Sequence, residues 1–354
     1  MKKFLLIFTI IAIFMLSSAN IYAQTMSKYG YPESYHPIGQ KIQTAYKTSV
    51  SQRVNVDSII KSVNIYFEND YFHYGEYEPS VFASSSNPAG SYQDGEHIGF
   101  HGYGISFQNI LTKQIPIWYK ASYSYLPGSG TYDEPVGLTN IAHSSNMSRY
   151  GFRLGYVVNL GKYLGIGNRL AVIPNFGYQW VNWNRDLPGL NSDYYHLNYY
   201  VLGAKAYYIP PVLHNKLWIE AEGYYLNDIK DVVNGAVPAE HTYNFSNGYT
   251  FYGAAINNST HFIMAPKAGY IFGIKAGYKL YKIHGISINP YIGFKFEQNK
   301  MGRSNINNIT YNGVVIDDAN DEIVNSNYLI TKSYVEPTDQ YNQIFLQFGL
   351  KFGF

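Results

Sequence analysis

In several segments of this sequence, the lysine, arginine and glutamate residues fall on the alternate positions between bulky apolar residues. Arg149 and Arg153, for example, alternate with Tyr150, Phe152 and Leu154. In a β-strand such alternation puts the charges on one face and the bulky groups on the other. The residues that this rule assigns to a common interior are Lys120, Arg149, Arg153, Lys205, Glu220, Glu222, Lys267, Lys275, Lys279, Lys295, Glu297 and Lys351.

Two kinds of chemistry fit this interior set. Charges that pair with one another would fill a narrow lumen with salt bridges, whereas a surplus of lysine and arginine along a water path would favour negative solutes. Lysine and arginine outnumber glutamate in the set. An open aqueous channel is typical of barrels of about sixteen strands, and the strands counted below leave less room. The sequence therefore predicts a narrow, basic lumen and leaves open whether small anionic solutes pass through it.

A catalytic alternative rests on the segment Ile65 to Asp70, which reads Ile-Tyr-Phe-Glu-Asn-Asp. This segment resembles the first-strand Glu-Asn-Asp of lipid A 3-O-deacylase barrels. The resemblance implies that Asn69 and Asp70 act at the level of the outer leaflet beside a histidine on another strand. Where that family has Tyr-Thr-Asn-Gly, this chain has Gln93 to His97. An outer-leaflet hydrolase is therefore the alternative function, and a histidine near Asn69 or Asp70 would distinguish it.

A second catalytic alternative concerns four residues of one long connection, Asp228, Asp231, Glu240 and His241. Barrels of this size resemble the omptin proteases, which place paired aspartates and an Asp-His couple at the extracellular rim. In this chain Glu240 and His241 are adjacent in sequence and do not face each other across strands. The ten histidines show no paired metal spacing. No metal and no cofactor are predicted.

The segment Asp339 to Phe354 gives the clearest strand pattern. Ile344, Leu346 and Phe348 alternate with polar residues, and Phe345 alone interrupts the polar face. Such alternation fits a strand between lipid and a polar lumen, and a strand of a soluble sandwich would share it. A strand that ends on Phe354 resembles the assembly signal of bacterial outer-membrane β-barrels.

Composition narrows the class of protein. Residues 1–23 read as a signal peptide, with Lys2 and Lys3 before a short apolar run. No later stretch reaches the roughly 18–20 apolar residues that a spanning helix needs. The chain contains 38 Tyr and 20 Phe but only 14% charged residues and no Cys, a balance that favours a barrel and excludes a disulfide framework. A net charge of +2 argues against a nucleic-acid partner.

The alternating segments predict a single transmembrane antiparallel β-barrel of about ten strands, an all-β fold. They lie at 59–74, 97–111, 115–126, 148–160, 169–185, 193–209, 216–226, 260–281, 285–299 and 339–354. Short and long connections alternate along the chain, which is typical of periplasmic turns and extracellular loops. Strand-like pieces at 243–256, 310–316 and 328–335 predict hairpins above the membrane. If a hairpin inserts instead, the barrel has twelve strands.

These patterns predict a signal peptide at 1–23, a periplasmic lead at 24–58 and a barrel at 59–354. The chain resembles the broad class of bacterial outer-membrane β-barrels, which implies the outer membrane of a Gram-negative bacterium, with periplasmic termini and extracellular loops. We expect a porin-like or surface-binding protein. The expected partners are outer-membrane lipid and lipopolysaccharide, the barrel-assembly machinery and small anionic solutes.

Overall fold

The computed structural model describes residues 56–77, 92–112, 114–133, 140–186, 192–236, 240–256, 259–320 and 322–354. The predicted signal peptide and nearly all of the predicted periplasmic lead lie outside these ranges. Among the described residues, no helix is both long enough and apolar enough to cross a membrane.

Strands dominate the described chain. They are β1 (Ser62–Tyr77), β2 (Tyr92–Ile110), β3 (Ile117–Asp133), β4 (Ile141–Tyr156), β5 (Leu170–Asp186), β6 (Asp193–Tyr208), β7 (Leu217–Asp228), β8 (Asp231–Ala236), β9 (Glu240–Asn244), β10 (Tyr249–Ala255), β11 (Ser259–Met264), β12 (Ala268–Tyr278), β13 (Tyr281–Ile283), β14 (Ile286–Met301), β15 (Asn307–Asp317), β16 (Glu322–Tyr334) and β17 (Thr338–Gly353). The helical elements are α1 (Asp57–Ile60), α2 (Leu160–Tyr163) and a 3₁₀ turn at Leu213–Asn215.

Ten of these strands close into an antiparallel barrel, and this confirms the predicted fold class. Around the ring the order is β1, β2, β3, β4, β5, β6, β7, β12, β14 and β17, and β17 pairs with β1 to close it. We call the end where Ser62 lies opposite Gly353 the base, and the end where Tyr77 lies opposite Thr338 the rim.

The hairpins of the long connections do not enter the barrel. Strands β16, β15, β10 and β9 form a separate four-stranded sheet in that order, which we call the outer sheet. The twelve-strand alternative is therefore not realised. The strand predicted at 260–281 is divided into β11, β12 and β13. Pro266 lies in the break between β11 and β12, where the missing N–H of proline ends strand pairing.

The two faces of β17 show why the alternating sequence forms a barrel wall. Leu346 and Phe348 are 36% and 46% exposed on the outer face, whereas Gln343 and Gln347 are buried inside. The exception to the polar face, Phe345, also points inward and is fully buried. The outer face is thus apolar and the inner face mostly polar, as a lipid-spanning barrel requires.

The interior has three layers. Near the base, the residues of the base plug are buried: Val56, Ile59 and Ile60 from the α1 segment, with Trp118 and Trp218 from the wall. Near the rim, a larger cluster of apolar and aromatic side chains forms the rim plug, which includes Phe72, Phe100, Trp183, Tyr195 and Tyr199. Charged side chains lie between the two plugs, and we call them the central layer.

Candidate functional site: the basic interior of the barrel

The rim plug fills the cross-section of the barrel. Phe72 on β1 and Trp183 on β5 are four strands apart around the ring, yet their ring centroids are only 5.0 Å apart. The hydroxyls of Tyr199 on β6 and Tyr341 on β17, also on opposite walls, are 3.3 Å apart. Side chains from opposite walls therefore meet across the lumen in this layer.

The base is closed in the same way. The Tyr207 hydroxyl on β6 donates a hydrogen bond of 3.1 Å to Oε1 of Gln108 on β2, on the opposite wall. The amide of Gln108 then donates to the carbonyl of Ile59, also at 3.1 Å. The α1 segment is therefore attached to a bridge that spans the lumen, and its isoleucines cover that bridge.

In the central layer, most predicted lumen residues form ion pairs. Arg149 Nη1 lies 3.1 Å from Glu68 Oε1 and 3.8 Å from Asp70 Oδ2. Lys205 Nζ lies 2.6 Å from Glu220 Oε1 and 3.3 Å from Glu222 Oε2. Arg149 is on β4 and its two partners are on β1, which is not adjacent to β4. The ion pairs therefore also fix how the side chains pack in the lumen.

Two more lysines complete the paired set. Lys351 Nζ contacts Oε2 of Glu220 at 2.7 Å, so Glu220 accepts from two lysines. Lys295 Nζ lies 3.5 Å from Glu297 Oε2. All of these cations are at least partly buried, and a buried charge needs such partners because burial removes its hydration.

Phe345 has a specific place in the central layer. Lys295 Nζ lies 3.5 Å from the centroid of its ring, and the guanidinium carbon of Arg149 lies 4.5 Å away. An aromatic face attracts cations through its quadrupole. The apparent break in the polar face of β17 therefore supplies a contact for two cations, which the alternation rule did not predict.

Three predicted lumen cations of the central layer differ from the four paired ones. Among the described residues, Lys120, Arg153 and Lys275 have no carboxylate oxygen at ion-pair distance. Arg153 lies over the ring of Tyr224, 3.8 Å from its centroid, and Lys275 lies 5.2 Å from the ring of Tyr291. All three cations line a cavity of about 70 Å³ in the central layer.

The structure places two predicted lumen residues elsewhere, which corrects the prediction for them. Lys267 lies in the break between β11 and β12 and is exposed, and its backbone N–H donates to Asp228 Oδ2 at 3.0 Å. Lys279 follows the last residue of β12 at the base, where burial lowers the pKa of its amine to about 8. The sequence pattern ran through both strand ends, so alternation alone could not exclude these lysines.

Asn69 and Asp70, the candidates for an outer-leaflet hydrolase, point to opposite faces of β1. Asp70 is buried in the lumen and accepts a hydrogen bond of 2.9 Å from the amide of Gln343. Asn69 is exposed on the outer face, opposite His101 of β2. Asn69 therefore has the expected histidine beside it on the outer face, whereas Asp70 points into the lumen, so the three residues do not share one face.

The four candidates of the omptin-like alternative are divided between two sheets. Asp228 and Asp231 are buried at the rim, and Asp231 Oδ1 accepts from the backbone N–H of Asn198 at 2.8 Å. Burial and the neighbouring Asp228 raise the pKa of Asp231 well above its usual range. Glu240 and His241 belong to β9 of the outer sheet. The aspartates therefore bind the ends of β7 and β8 to neighbouring segments, and among the described residues no contact joins either aspartate to His241.

Sequence reasoning missed a charged cluster at the rim. Arg185 contacts Glu96 through its Nε, and its Nη1 lies 3.3 Å from Glu76 and 3.5 Å from Asp193. The same Nη1 donates to the Tyr195 hydroxyl at 2.7 Å, which in turn donates to Glu336 at 3.2 Å. We call these residues the rim cluster. The same alternation that identified the central layer, followed further along β1 and β2, would have assigned Glu76 and Glu96 to the interior.

A search of protein-family models and a search of curated proteins found no match. Among solved structures, the chain is similar to the outer membrane protease OmpT from Escherichia coli, with a TM-score of 0.44, 10% identity, and coverage of 83% of this chain and 97% of that chain. It is also similar to the transport unit of the autotransporter AIDA-I from Escherichia coli, with a TM-score of 0.34, 14% identity, and coverage of 88% and 98%. The translocator domain of the autotransporter NalP from Neisseria meningitidis gives a TM-score of 0.31, 13% identity, and coverage of 95% and 99%.

These similarities are too low to carry a functional argument. The class of protein follows from the chain itself, because a closed antiparallel barrel with an apolar outer face satisfies every backbone group within the sheet and can cross lipid. The protein is an outer-membrane β-barrel.

Proposed function

We propose that this protein acts at the cell surface through its outer sheet, and that the barrel is a closed anchor. The observation that carries this proposal is the contact of side chains from opposite walls at both ends of the lumen, Phe72 with Trp183 at the rim and Tyr207 with Gln108 at the base. An anchor of this kind has no path for solute. Its function then belongs to the elements outside the membrane.

The proposal includes an orientation. The first and last strands of the described chain begin and end at the base of the barrel, since Ser62 pairs with Gly353, and the outer sheet connects to the rim. We place the base in the periplasm and the rim outside the cell. In this orientation the outer face of the barrel contacts membrane lipid and lipopolysaccharide. The expected recognition of Phe354 by the barrel-assembly machinery stays a prediction, and its ring is exposed on the outer face against Phe107.

The outer sheet has one edge suited to binding. β16 pairs with β15 on one side, and no strand of the described chain pairs with its other side. Ile323, Val324 and Leu329 are 63%, 59% and 60% exposed. Between Glu322 and Lys332 the strand carries no charged residue. Edge strands usually carry charges or prolines that prevent pairing, so an uncharged exposed edge is suited to an extended polypeptide that adds as a further strand.

A phage-displayed peptide library, selected on proteoliposomes that contain the protein, tests the binding role. We expect enrichment of uncharged, alternating peptides on the wild type. The variant Asn327→Pro with Leu329→Pro removes two backbone N–H groups of β16, including that of Asn327, which donates at 2.9 Å to Oδ1 of Asn325. The variant disrupts the strand that a peptide would pair with, and it should lose this enrichment while the barrel stays folded. Equal enrichment on both proteins would contradict the proposal.

A narrow anion channel is the second candidate, and the surplus of cations in the central layer favours it. Planar-bilayer recordings of the refolded protein separate the two. We expect no steady conductance. A steady current that favours chloride over potassium, and that weakens in selectivity when Lys275 and Lys295 are replaced by Glu, would support the channel and contradict the closed anchor.

A further inference from the structure

We propose that the cavity of the central layer binds one tetrahedral dianion of the sulfate or phosphate type. The cavity of about 70 Å³ is lined by Lys120, Arg153 and Lys275. A water molecule needs roughly 10–15 Å³ of such space, so the cavity has room for several waters or for one small oxyanion in their place. This inference does not depend on the proposed role of the outer sheet.

The charge balance of the central layer points to an anion. Within the described residues it has seven cationic and five carboxylate side chains, a formal surplus of two positive charges when every group is in its ordinary charged form. The cations are Lys120, Arg149, Arg153, Lys205, Lys275, Lys295 and Lys351, and the carboxylates are Glu68, Asp70, Glu220, Glu222 and Glu297. A dianion would neutralise this surplus, and an uncompensated buried charge is costly.

The positions of the unpaired cations are more informative than their number. The four paired cations account for the five carboxylates, since Glu222 already lies 3.3 Å from Lys205. The three cations left over all line the cavity, together with the paired cations Arg149 and Lys295 and the carboxylates Glu68 and Glu222. One of them, Arg153, has a buried Nη1 without a hydrogen-bond partner among the described residues. A guanidinium with a free donor is suited to an oxyanion, which can accept two parallel hydrogen bonds from it.

Neutral donors surround the same space. The side chains of Ser122, Ser124 and Gln179 line the cavity beside the cations. The Gln179 amide nitrogen is buried and has no acceptor among the described residues. A ligand with several acceptor oxygens would satisfy both this amide and Arg153, whereas a chloride ion offers a single centre.

Glycines on the inner face keep the cavity open. A Cβ at Gly151 would lie 2.9 Å from the Ser122 hydroxyl, and a Cβ at Gly293 would lie 2.9 Å from the Lys275 side chain. Any larger residue would therefore push these donors out of place. Because the base plug and the rim plug close the lumen, an anion captured during folding should exchange slowly.

Retention of a labelled anion tests the proposal. The full chain is refolded into detergent micelles with ³⁵S-sulfate or with ³³P-phosphate and then desalted, and the label per folded chain is counted. We expect the wild type to retain close to one anion per chain in at least one arm, and the arm identifies which oxyanion is preferred. The double variant Arg153→Met with Lys275→Met should fall to background. Folding is checked by heat-modifiable mobility on gels.

The control variant is Lys351→Met, which removes a lumen lysine whose partner Glu220 keeps Lys205. It should retain the label. If the double variant does not fold, competition on the wild type decides, because unlabelled sulfate should displace the label during refolding and equal chloride should not. A folded wild type without label, equal loss in Lys351→Met, or equal competition by chloride would overturn the proposal.

Discussion

Lys205 and Lys351 share Glu220, yet their structural importance differs. Lys205 also holds Glu222, and it is 1% exposed. Removing one partner of a buried ion pair leaves the other charge uncompensated. The two lysines therefore provide a matched comparison of how the central layer stabilises the barrel.

We predict that Lys205→Met lowers the free energy of unfolding by about 3–5 kcal/mol, because Glu222 loses its ion-pair partner. Lys351→Met should lower it by about 1.5–3 kcal/mol, the range for one hydrogen bond to a charged group, because Glu220 keeps Lys205. Urea titrations of the protein in lipid vesicles measure both. Equal losses would show that the shared carboxylate does not distinguish its two partners.

Glu336 gives the rim cluster a dependence on pH. Burial, followed by repulsion from Glu76 and Asp193, raises the pKa of its carboxyl well above the usual range. The folded state therefore keeps this proton to a higher pH than the unfolded chain does. The contribution of Glu336 to stability is therefore greatest below the unfolded pKa and declines as the pH rises toward the folded pKa.

We predict that Glu336→Gln makes the decline of stability above about pH 5 shallower than in the wild type, since the glutamine has no proton to lose. The exposed residue Glu322 supplies the control, Glu322→Gln, which should keep the slope of the wild type. Urea midpoints at a series of pH values give the slopes. An unchanged slope in Glu336→Gln would assign the pH dependence to other carboxylates of the rim cluster.

Among the elements, β17 offers a test of which side chains of the barrel face lipid. Leu346 points outward from the barrel, whereas Leu329 is exposed on the outer sheet, away from the barrel wall. Leu346→Arg should cost about 2–4 kcal/mol, because arginine is poorly tolerated in lipid near the midplane. Leu329→Arg should change stability by no more than about 0.5 kcal/mol, as expected of a surface position in water. Urea titration in vesicles compares them, and similar losses would mean that the outer face at Leu346 does not contact lipid.

The sequence predicted the strands well because each strand separates an apolar face from a polar face with a period of two residues. That period predicts which face of its strand a residue occupies. It does not predict which residue it contacts across the lumen. Arg149 on β4 meets Glu68 on β1, and no local pattern relates these positions. The period also continued through Pro266 and misplaced Lys267. It could not show that Phe345 would serve two cations, because burial of an aromatic ring and its contact with charge depend on the assembled lumen.

For the whole molecule, insertion into the outer membrane by the assembly machinery can be measured separately from folding of the barrel without that machinery. Phe354 and Phe107 stack on the outer face, with ring centroids 6.2 Å apart. If the assembly machinery recognises Phe354, then Phe354→Ser lowers the amount of folded barrel in outer membranes more than Phe107→Ser does. Refolding of the two variants into vesicles without the machinery should be equally efficient. Equal loss in cells would contradict a specific assembly role for Phe354.

The filled cross-section also bears on the permeability barrier of the cell. Every open porin that a cell inserts admits nutrients together with hydrophilic antibiotics, so its copy number is limited by leakage. If the barrel is the closed anchor proposed above, with opposite walls in contact as at Tyr199 and Tyr341, it adds surface area to the membrane without adding a leak. On that proposal a cell could display the protein densely, and overproducing it should leave susceptibility to hydrophilic antibiotics unchanged.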